Sequence, residues 1–289
     1  MYYDACGRPT CCCCPPQHYN APCCSLKWFK DFLFGLKLIN VRQLCESYFV
    51  SPQVLLGIRI VLTLWSVIVV LGSMIQNFRG GYWFFYFTNL SYLGLATYFV
   101  LVTTLSFQYV MNPNRQDFRH MPARKRDIIC TILYTTAFTY HIFVPLVYWT
   151  LLGKNYSFAT DSALGGWLNI SVHGLDLVII FIDFVFNRVI YVWGHLIIAI
   201  VLVLLYVLWS WIGAAIFPTG GPDLNGFPYF FVNYNTIAPA IYIPLLSIAF
   251  ILVWTLAMGL HWLKAYIFQG KVRTAPAAVS PTSTIVREH

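Results

Sequence analysis

Six long apolar stretches constrain this chain more than any other feature of its sequence. A helix needs roughly 20 mostly apolar residues to cross the hydrocarbon core of a bilayer, and each stretch is long enough. The runs are continuous rather than alternating, which excludes a β-barrel, and lipid cannot satisfy the backbone of an open sheet. The sequence therefore predicts an all-α polytopic membrane protein, a six-helix transmembrane bundle. The stretches cover about 54–77, 83–108, 128–151, 167–187, 190–217 and 237–262.

The composition excludes the other broad classes of protein. Hydrophobic residues make up 59% of the 289 residues and charged residues only 10%. Soluble domains carry roughly 25% charged residues, so a soluble enzyme could not cover its surface with this composition. A disordered chain would not hold so many apolar side chains. Aromatic residues make up 18% of the chain, which is typical of proteins with side chains at the membrane–water boundary.

The basic residues predict how the spans are oriented. In multipass proteins the cytosolic connections carry the excess of Lys and Arg. Here that excess lies before the first stretch, in the even-numbered connections and after the last stretch, and only Arg79 and Lys154 fall in odd-numbered connections. Both termini are therefore predicted to be cytosolic, in the endoplasmic reticulum, another endomembrane or the plasma membrane. We expect the basic run at 124–126 to contact anionic lipid, and no nucleic acid to bind.

The chain divides into three predicted regions. Residues 1–49 form a cytosolic tail rich in cysteine that continues into an interfacial amphipathic segment over 26–41, where Lys mixes with Trp, Phe and Leu. Residues 50–268 form the six-span transmembrane domain. Residues 269–289 are predicted to be a disordered cytosolic tail.

The N-terminal cysteines are predicted to be S-acylation sites, because thiols beside an interfacial helix suit that modification. A reducing cytosol argues against disulfides, and four consecutive cysteines are a poor zinc site. The alternative is a tail whose thiols have no specific role. No metal or other cofactor is expected. The candidate acylation sites are Cys11, Cys12, Cys13, Cys14, Cys23 and Cys24.

Ionisable side chains within the predicted spans are the candidate functional groups, because each is costly to keep in lipid. The alternative is that they hydrogen-bond between helices and only hold the bundle together. They are His141, His173, Asp176, Asp183 and His195.

Depth in the membrane selects a pair of residues from two spans. Thr88 lies about five residues into the second stretch and His173 about six into the fourth, which places both roughly 8–9 Å below the outer surface. An imidazole can take the proton of a threonine hydroxyl and make it a nucleophile, so Thr88 is the predicted nucleophile and His173 the predicted base. Asp176 is predicted to orient His173 from the same helix face. Asn89 and Asn169 are predicted to donate to an oxyanion.

Two short motifs around these residues also carry a family resemblance. They are Tyr86-Phe87-Thr88-Asn89-Leu90-Ser91 and Asn169-Ile170-Ser171-Val172-His173-Gly174-Leu175-Asp176. The chain resembles the Rolling stone-like proteins and, more broadly, the androgen-inducible multipass membrane family over most of residues 50–268. Some members of the broader family are threonine hydrolases that cleave fatty acid esters of hydroxy fatty acids. The resemblance implies a lipid ester substrate, with Thr88 as nucleophile and His173 as base.

Other functions stay open at this point. In the main alternative the protein is a membrane scaffold or an adhesion- or fusion-type protein, and Thr88 and His173 hydrogen-bond between helices. A haem held by His141 and His173 is less favoured, because their depths differ by a helical turn or more. A transporter is less favoured because the sequence shows no internal repeat. The connection 218–235 is predicted to be either a lid over the site or a structured turn.

Overall fold

The structure, a computed structural model, describes residues 26–36, 38–112, 125–153, 162–217 and 226–273. Within these ranges there is no strand, and the predicted all-α bundle of six spans is confirmed. The candidate acylation cysteines and the predicted C-terminal tail beyond residue 273 lie outside the described residues. The spans are Pro52–Asn77, Phe87–Met111, Lys125–Leu152, Ala163–Phe186, His195–Ile216 and Ala238–Phe268.

The spans are built from α-helices joined by shorter helical segments of different pitch. The third span ends in a π-helical segment, Tyr148–Leu152, and the fourth contains another, Ser171–Leu175. Such segments add a residue to a helical turn and occur often at functional sites. Segments of 3₁₀-helix cover Arg79–Phe85 and Phe230–Val232. The α-helices are α1 (Leu26–Phe34), α2 (Val41–Cys45), α3 (Pro52–Asn77), α4 (Phe87–Met111), α5 (Lys125–Val147), α6 (Ala163–Ile170), α7 (Asp176–Phe186), α8 (His195–Ile216) and α9 (Ala238–Arg273).

The second span begins later than the sequence predicts. Gly80 and Gly81 have φ angles of 67° and 102°, in the left-handed region that favours glycine. They start the 3₁₀-helical segment, and α4 begins only at Phe87. Thr88 therefore lies in the first turn of its helix instead of about five residues inside a longer one. First-turn N–H groups have no partner within their own helix, which leaves this backbone open to other contacts.

The third span is the centre of the bundle, and the fifth and sixth spans lie at its rim. Over an 18-residue apolar stretch of each span, 67% of the residues are buried in the third span and 22% in each of the last two. Helix α5 contacts α4, α7, α8 and α9. Most side chains of α8 and α9 therefore face the surroundings of the bundle, which are lipid for a membrane protein.

A charged network is buried near α2. Arg59 Nε donates to Asp183 Oδ1 at 2.8 Å, and both side chains are fully buried. Tyr98 and Asn187 donate to the other carboxylate oxygen at 2.6 and 2.9 Å. Lys264 Nζ donates to the Asn187 carbonyl at 3.1 Å. Because buried charges need partners, this network is a structural use of Asp183 that joins the first, second, fourth and sixth spans.

Helix α1 docks against the start of α8 through a close backbone approach. A Cβ on Gly194 would collide with the backbone of Phe32 and Leu33, so only glycine fits there. Phe29 and Phe32 themselves are 45% and 40% exposed. These exposed rings suit the interfacial position that the sequence predicts for this segment.

A second close approach, at Gly213 of α8, fixes the chain before α4. A Cβ on Gly213 would overlap the ring of Phe85, which stacks on Trp209 with ring centroids 4.9 Å apart.

We expect Gly213→Ala to lower the free energy of unfolding by about 1–3 kcal/mol through overpacking. Thermal unfolding in detergent measures this loss. Gly259→Ala is the matched control, since a Cβ there meets no atom within 4 Å, and an equal loss in both variants would contradict the expectation.

Candidate functional site

A cavity of about 190 Å³ lies between α4, α5, α8 and α9. Two of its lining residues, Leu204 of α8 and Ile251 of α9, are 57% and 47% exposed. The cavity therefore opens on the side of the bundle, between the fifth and sixth spans, where a membrane protein meets lipid. The lining is mostly apolar, as in most small-molecule sites. Its hydroxyl groups belong to Thr88, Tyr148, Tyr206, Tyr229 and Ser247.

Thr88 lies at the inner wall of this cavity and contacts Tyr229. The Thr88 Oγ1 atom is 3.3 Å from the Tyr229 hydroxyl oxygen, and the Thr88 N–H donates to the same oxygen at 3.5 Å. Both side chains are more than nine-tenths buried. Tyr229 belongs to the connection between the fifth and sixth spans. The described part of that connection, residues 226–237, therefore covers the nucleophile predicted from the sequence.

Aromatic packing and burial fix both the position and the protonation of Tyr229. Its ring stacks on Phe231 with centroids 5.0 Å apart and meets the edge of Tyr86 at 5.9 Å. Burial raises the pKa of Tyr229 to about 12. The phenol therefore keeps its proton at neutral pH and can act as a hydrogen-bond donor.

His173 lies in the π-helical segment of the fourth span, against Tyr148. The two rings are stacked with centroids 3.5 Å apart and an interplanar angle of 6°. The His173 carbonyl accepts from Trp149 at 2.7 Å, while its ring Nδ1 is buried without a hydrogen-bond partner. His173 and Thr88 are not hydrogen-bonded to each other in the structure. Tyr148 contacts His173 and also lines the cavity that holds Thr88.

Asp176 pairs with His141 in the structure, and no hydrogen bond joins it to His173, the residue that the sequence predicts it to orient. Asp176 Oδ2 is 2.7 Å from His141 Nδ1, and both side chains are fully buried. The prediction assumed α-helical spacing between His173 and Asp176. The π-helical segment ends just before Asp176, and its wider turn changes which side chains share a helix face.

The His141 pair also links three spans below the cavity. His141 Nε2 is 3.2 Å from the Ser91 carbonyl oxygen. Ser91 lies three residues after Thr88, and Asp176 lies three residues after His173. Three residues correspond to about 4.5 Å along a helix. This link holds the second and fourth spans in register around the third.

The two asparagines predicted to donate to an oxyanion hydrogen-bond elsewhere in the structure. Asn89 Nδ2 donates to the Trp83 carbonyl at 2.9 Å and closes the turn before α4. Asn169 Nδ2 donates to the Tyr148 hydroxyl at 2.8 Å and so helps to hold the ring that covers His173. Neither asparagine lines the cavity.

A second cavity, of about 710 Å³, lies between α4, α5 and α8. Its hydroxyl groups already donate to backbone carbonyls: Ser91 to Thr88 at 3.0 Å, Thr136 to Ile132 at 2.8 Å, Tyr140 to Ala199 at 2.9 Å and Tyr206 to Phe85 at 3.0 Å. This second cavity therefore holds no hydroxyl as available for chemistry as that of Thr88.

The fold defines a multipass integral membrane protein. Comparison with known proteins finds no matching family, no matching curated protein and no matching solved structure. Among the residues that the structure describes, no group of three or more His, Cys, Asp or Glu side chains could hold a metal ion.

Proposed function

We propose that this protein is an intramembrane threonine hydrolase that cleaves fatty acyl esters of membrane lipids. The observation that carries the proposal is a buried threonine hydroxyl in an apolar cavity that opens between the fifth and sixth spans. A lipid ester could reach this hydroxyl without leaving the bilayer. The resemblance to the Rolling stone-like and androgen-inducible family supports the same roles for Thr88 and His173, and we propose membership of that family.

In the proposed reaction Thr88 Oγ1 attacks the ester carbonyl carbon. The new C–O bond forms as the carbonyl electron pair moves to oxygen, and His173 takes the hydroxyl proton. Collapse of this intermediate breaks the ester C–O bond, and the alcohol leaves with the proton from His173. Water then attacks the acyl–Thr88 ester by the same steps, which releases the fatty acid and returns the proton to Thr88.

The proposed proton transfer requires a side-chain movement. Tyr148 stacks on the His173 ring in this structure, and the proposed mechanism requires the His173 imidazole to leave this stacked position and reach Thr88. The unpartnered Nδ1 of His173 fits this role, since no hydrogen bond has to break on that atom for the ring to turn. Catalytic hydrogen bonds are often formed only when substrate is bound.

The proposal also includes the orientation of the chain in the membrane and S-acylation of its N-terminal cysteines. We place both termini in the cytosol of an endomembrane or plasma membrane protein, which puts Thr88 and His173 toward the outer leaflet. The N-terminal cysteines would then be available for S-acylation on the cytosolic side.

A fluorophosphonate probe tests the proposal directly. We expect the probe to label the purified protein in detergent, and mass spectrometry to locate the adduct on Thr88. Thr97, an exposed threonine of the same helix, is the internal control and should stay unmodified. Membranes that contain the protein should also hydrolyse at least one ester from a panel of lipid esters. Folded protein with neither an adduct nor hydrolysis would refute the proposal.

A membrane scaffold is the second candidate function. The observation in its favour is that the Thr88 hydroxyl already lies within hydrogen-bond distance of Tyr229, a contact that can hold the connection against the bundle. The same labelling experiment separates the candidates, since a scaffold requires no activated hydroxyl and should not react with the probe.

A further inference from the structure

We infer that Tyr229 is a catalytic residue that donates a hydrogen bond to the oxyanion formed from the ester carbonyl. This inference rests on the proposed function and adds a residue that the sequence did not indicate. Tyr229 comes from the connection before α9, more than a hundred residues from Thr88 in the chain. No sequence spacing links these two residues, and only the fold brings them together.

The position of Tyr229 suits an oxyanion donor. Its hydroxyl is 3.3 Å from the Thr88 Oγ1 atom that would attack the substrate. The oxyanion is the carbonyl oxygen on the carbon to which Oγ1 becomes bonded, so a donor that reaches Oγ1 lies close to that oxygen as well. Effective donors lie about 2.7–3.1 Å from the oxyanion.

The Thr88 N–H points to the same place. It donates to the Tyr229 oxygen at 3.5 Å, and its position in the first turn of α4 leaves it without a partner in the helix. The N–H and the phenol hydroxyl thus lie side by side next to the nucleophile, with the phenol oxygen accepting from the N–H. A substrate carbonyl oxygen that binds there would accept from both groups, as in an oxyanion hole.

The other hydroxyl groups in the cavity are used elsewhere. Tyr206 donates to the Phe85 carbonyl at 3.0 Å, and Ser247 donates to the Ile243 carbonyl at 2.7 Å. The Tyr148 hydroxyl accepts from Asn169. Tyr229 is therefore the residue in this cavity whose hydroxyl contacts the nucleophile.

The chemistry assigned to Tyr229 involves no transfer of its own proton. The phenol stays protonated because burial raises its pKa to about 12. It stabilises the negative charge on the carbonyl oxygen while the Thr88–carbon bond forms, and it releases that oxygen when the carbonyl re-forms. An electrostatic contribution of this kind acts on the transition state and affects substrate binding much less.

Tyr229→Phe tests the inference, because it removes the hydroxyl and keeps the ring that stacks on Phe231. We expect kcat for a lipid ester to fall about 10²–10³-fold, with KM changed by less than about threefold. Affinity for a trifluoromethyl ketone analogue, which forms an oxyanion with Thr88, should fall in parallel with kcat. A purely structural role would not produce this parallel loss.

Tyr242→Phe is the matched control. Tyr242 of α9 packs against Phe230, a neighbour of Tyr229 in the connection, with ring centroids 5.0 Å apart, and it does not line the cavity. The kcat of Tyr242→Phe should therefore stay close to that of wild type. Wild type and Thr88→Ala are measured in the same assay. If hydrolysis depends on Thr88 but Tyr229→Phe retains its kcat, the inference alone is overturned. If no Thr88-dependent hydrolysis is found, the proposed function fails and the inference fails with it.

Discussion

Thr88→Ala and His173→Gln should each lower kcat/KM for a lipid ester by at least about 10³-fold, as expected for removal of a nucleophile or its base. The bundle should remain folded in both variants. Thr88 loses only a long hydrogen bond to Tyr229, and the His173 ring makes no hydrogen bond that a glutamine would break. Hydrolysis by membranes and thermal unfolding in detergent are the two measurements.

His173 is the more informative of these two positions, because its ring makes no hydrogen bond that the fold depends on. His141, which is also buried in the bundle, holds Asp176 and the Ser91 carbonyl, so its loss should reduce stability. The His173 ring makes no comparable hydrogen bond, so a large loss of activity with unchanged thermal stability at this position would favour a catalytic role. Thr104→Ala, on the exposed face of α4, is the control and should behave as wild type. Retention of activity within tenfold of wild type by either site variant would count against the Thr–His mechanism.

Asp183→Ala should produce the largest loss of stability in the molecule. It leaves Arg59 charged and fully buried, and removes the acceptor for Tyr98 and Asn187. Breaking a buried ion pair by removing one partner costs about 3–5 kcal/mol. We expect a strong decrease in the thermal midpoint and in the yield of folded protein.

A double variant distinguishes loss of the ion pair from loss of packing. Arg59→Met combined with Asp183→Leu removes both charges and keeps apolar volume, which is often neutral for buried pairs. It should recover at least half of the stability that Asp183→Ala loses. If the free energy of unfolding of Asp183→Ala stays within about 1 kcal/mol of wild type, the fold does not need the buried pair.

The six spans were predictable because each crosses the bilayer as one continuous apolar run. The start of the second span could not be predicted, because residues 83–86 are as apolar as the helix that follows. The left-handed turn at Gly80 and Gly81 ends one helix and delays the next, and apolar content does not show this. For the same reason Thr88 lies in the first turn of its helix and not inside a longer one.

The candidate site was predictable only in part. The pairing of Thr88 with His173 stays a prediction from position along the chain, since depth follows residue number in a helix. The partner of Asp176 could not be identified, because a π-helical turn leaves no mark in the pattern of apolar residues. Tyr229 was missed because its contact with Thr88 depends on how a connection folds back over the bundle.

The side opening between α8 and α9 has a consequence for how the proposed reaction would respond to its surroundings. A reactant that arrives through this gap moves in two dimensions within one leaflet, so its effective concentration is its mole fraction among the lipids. Turnover would then fall when inert phospholipid dilutes the ester, even at constant bulk molarity. Chain order and thickness of the leaflet would become kinetic variables, as they are not for an enzyme that collects its reactants from water.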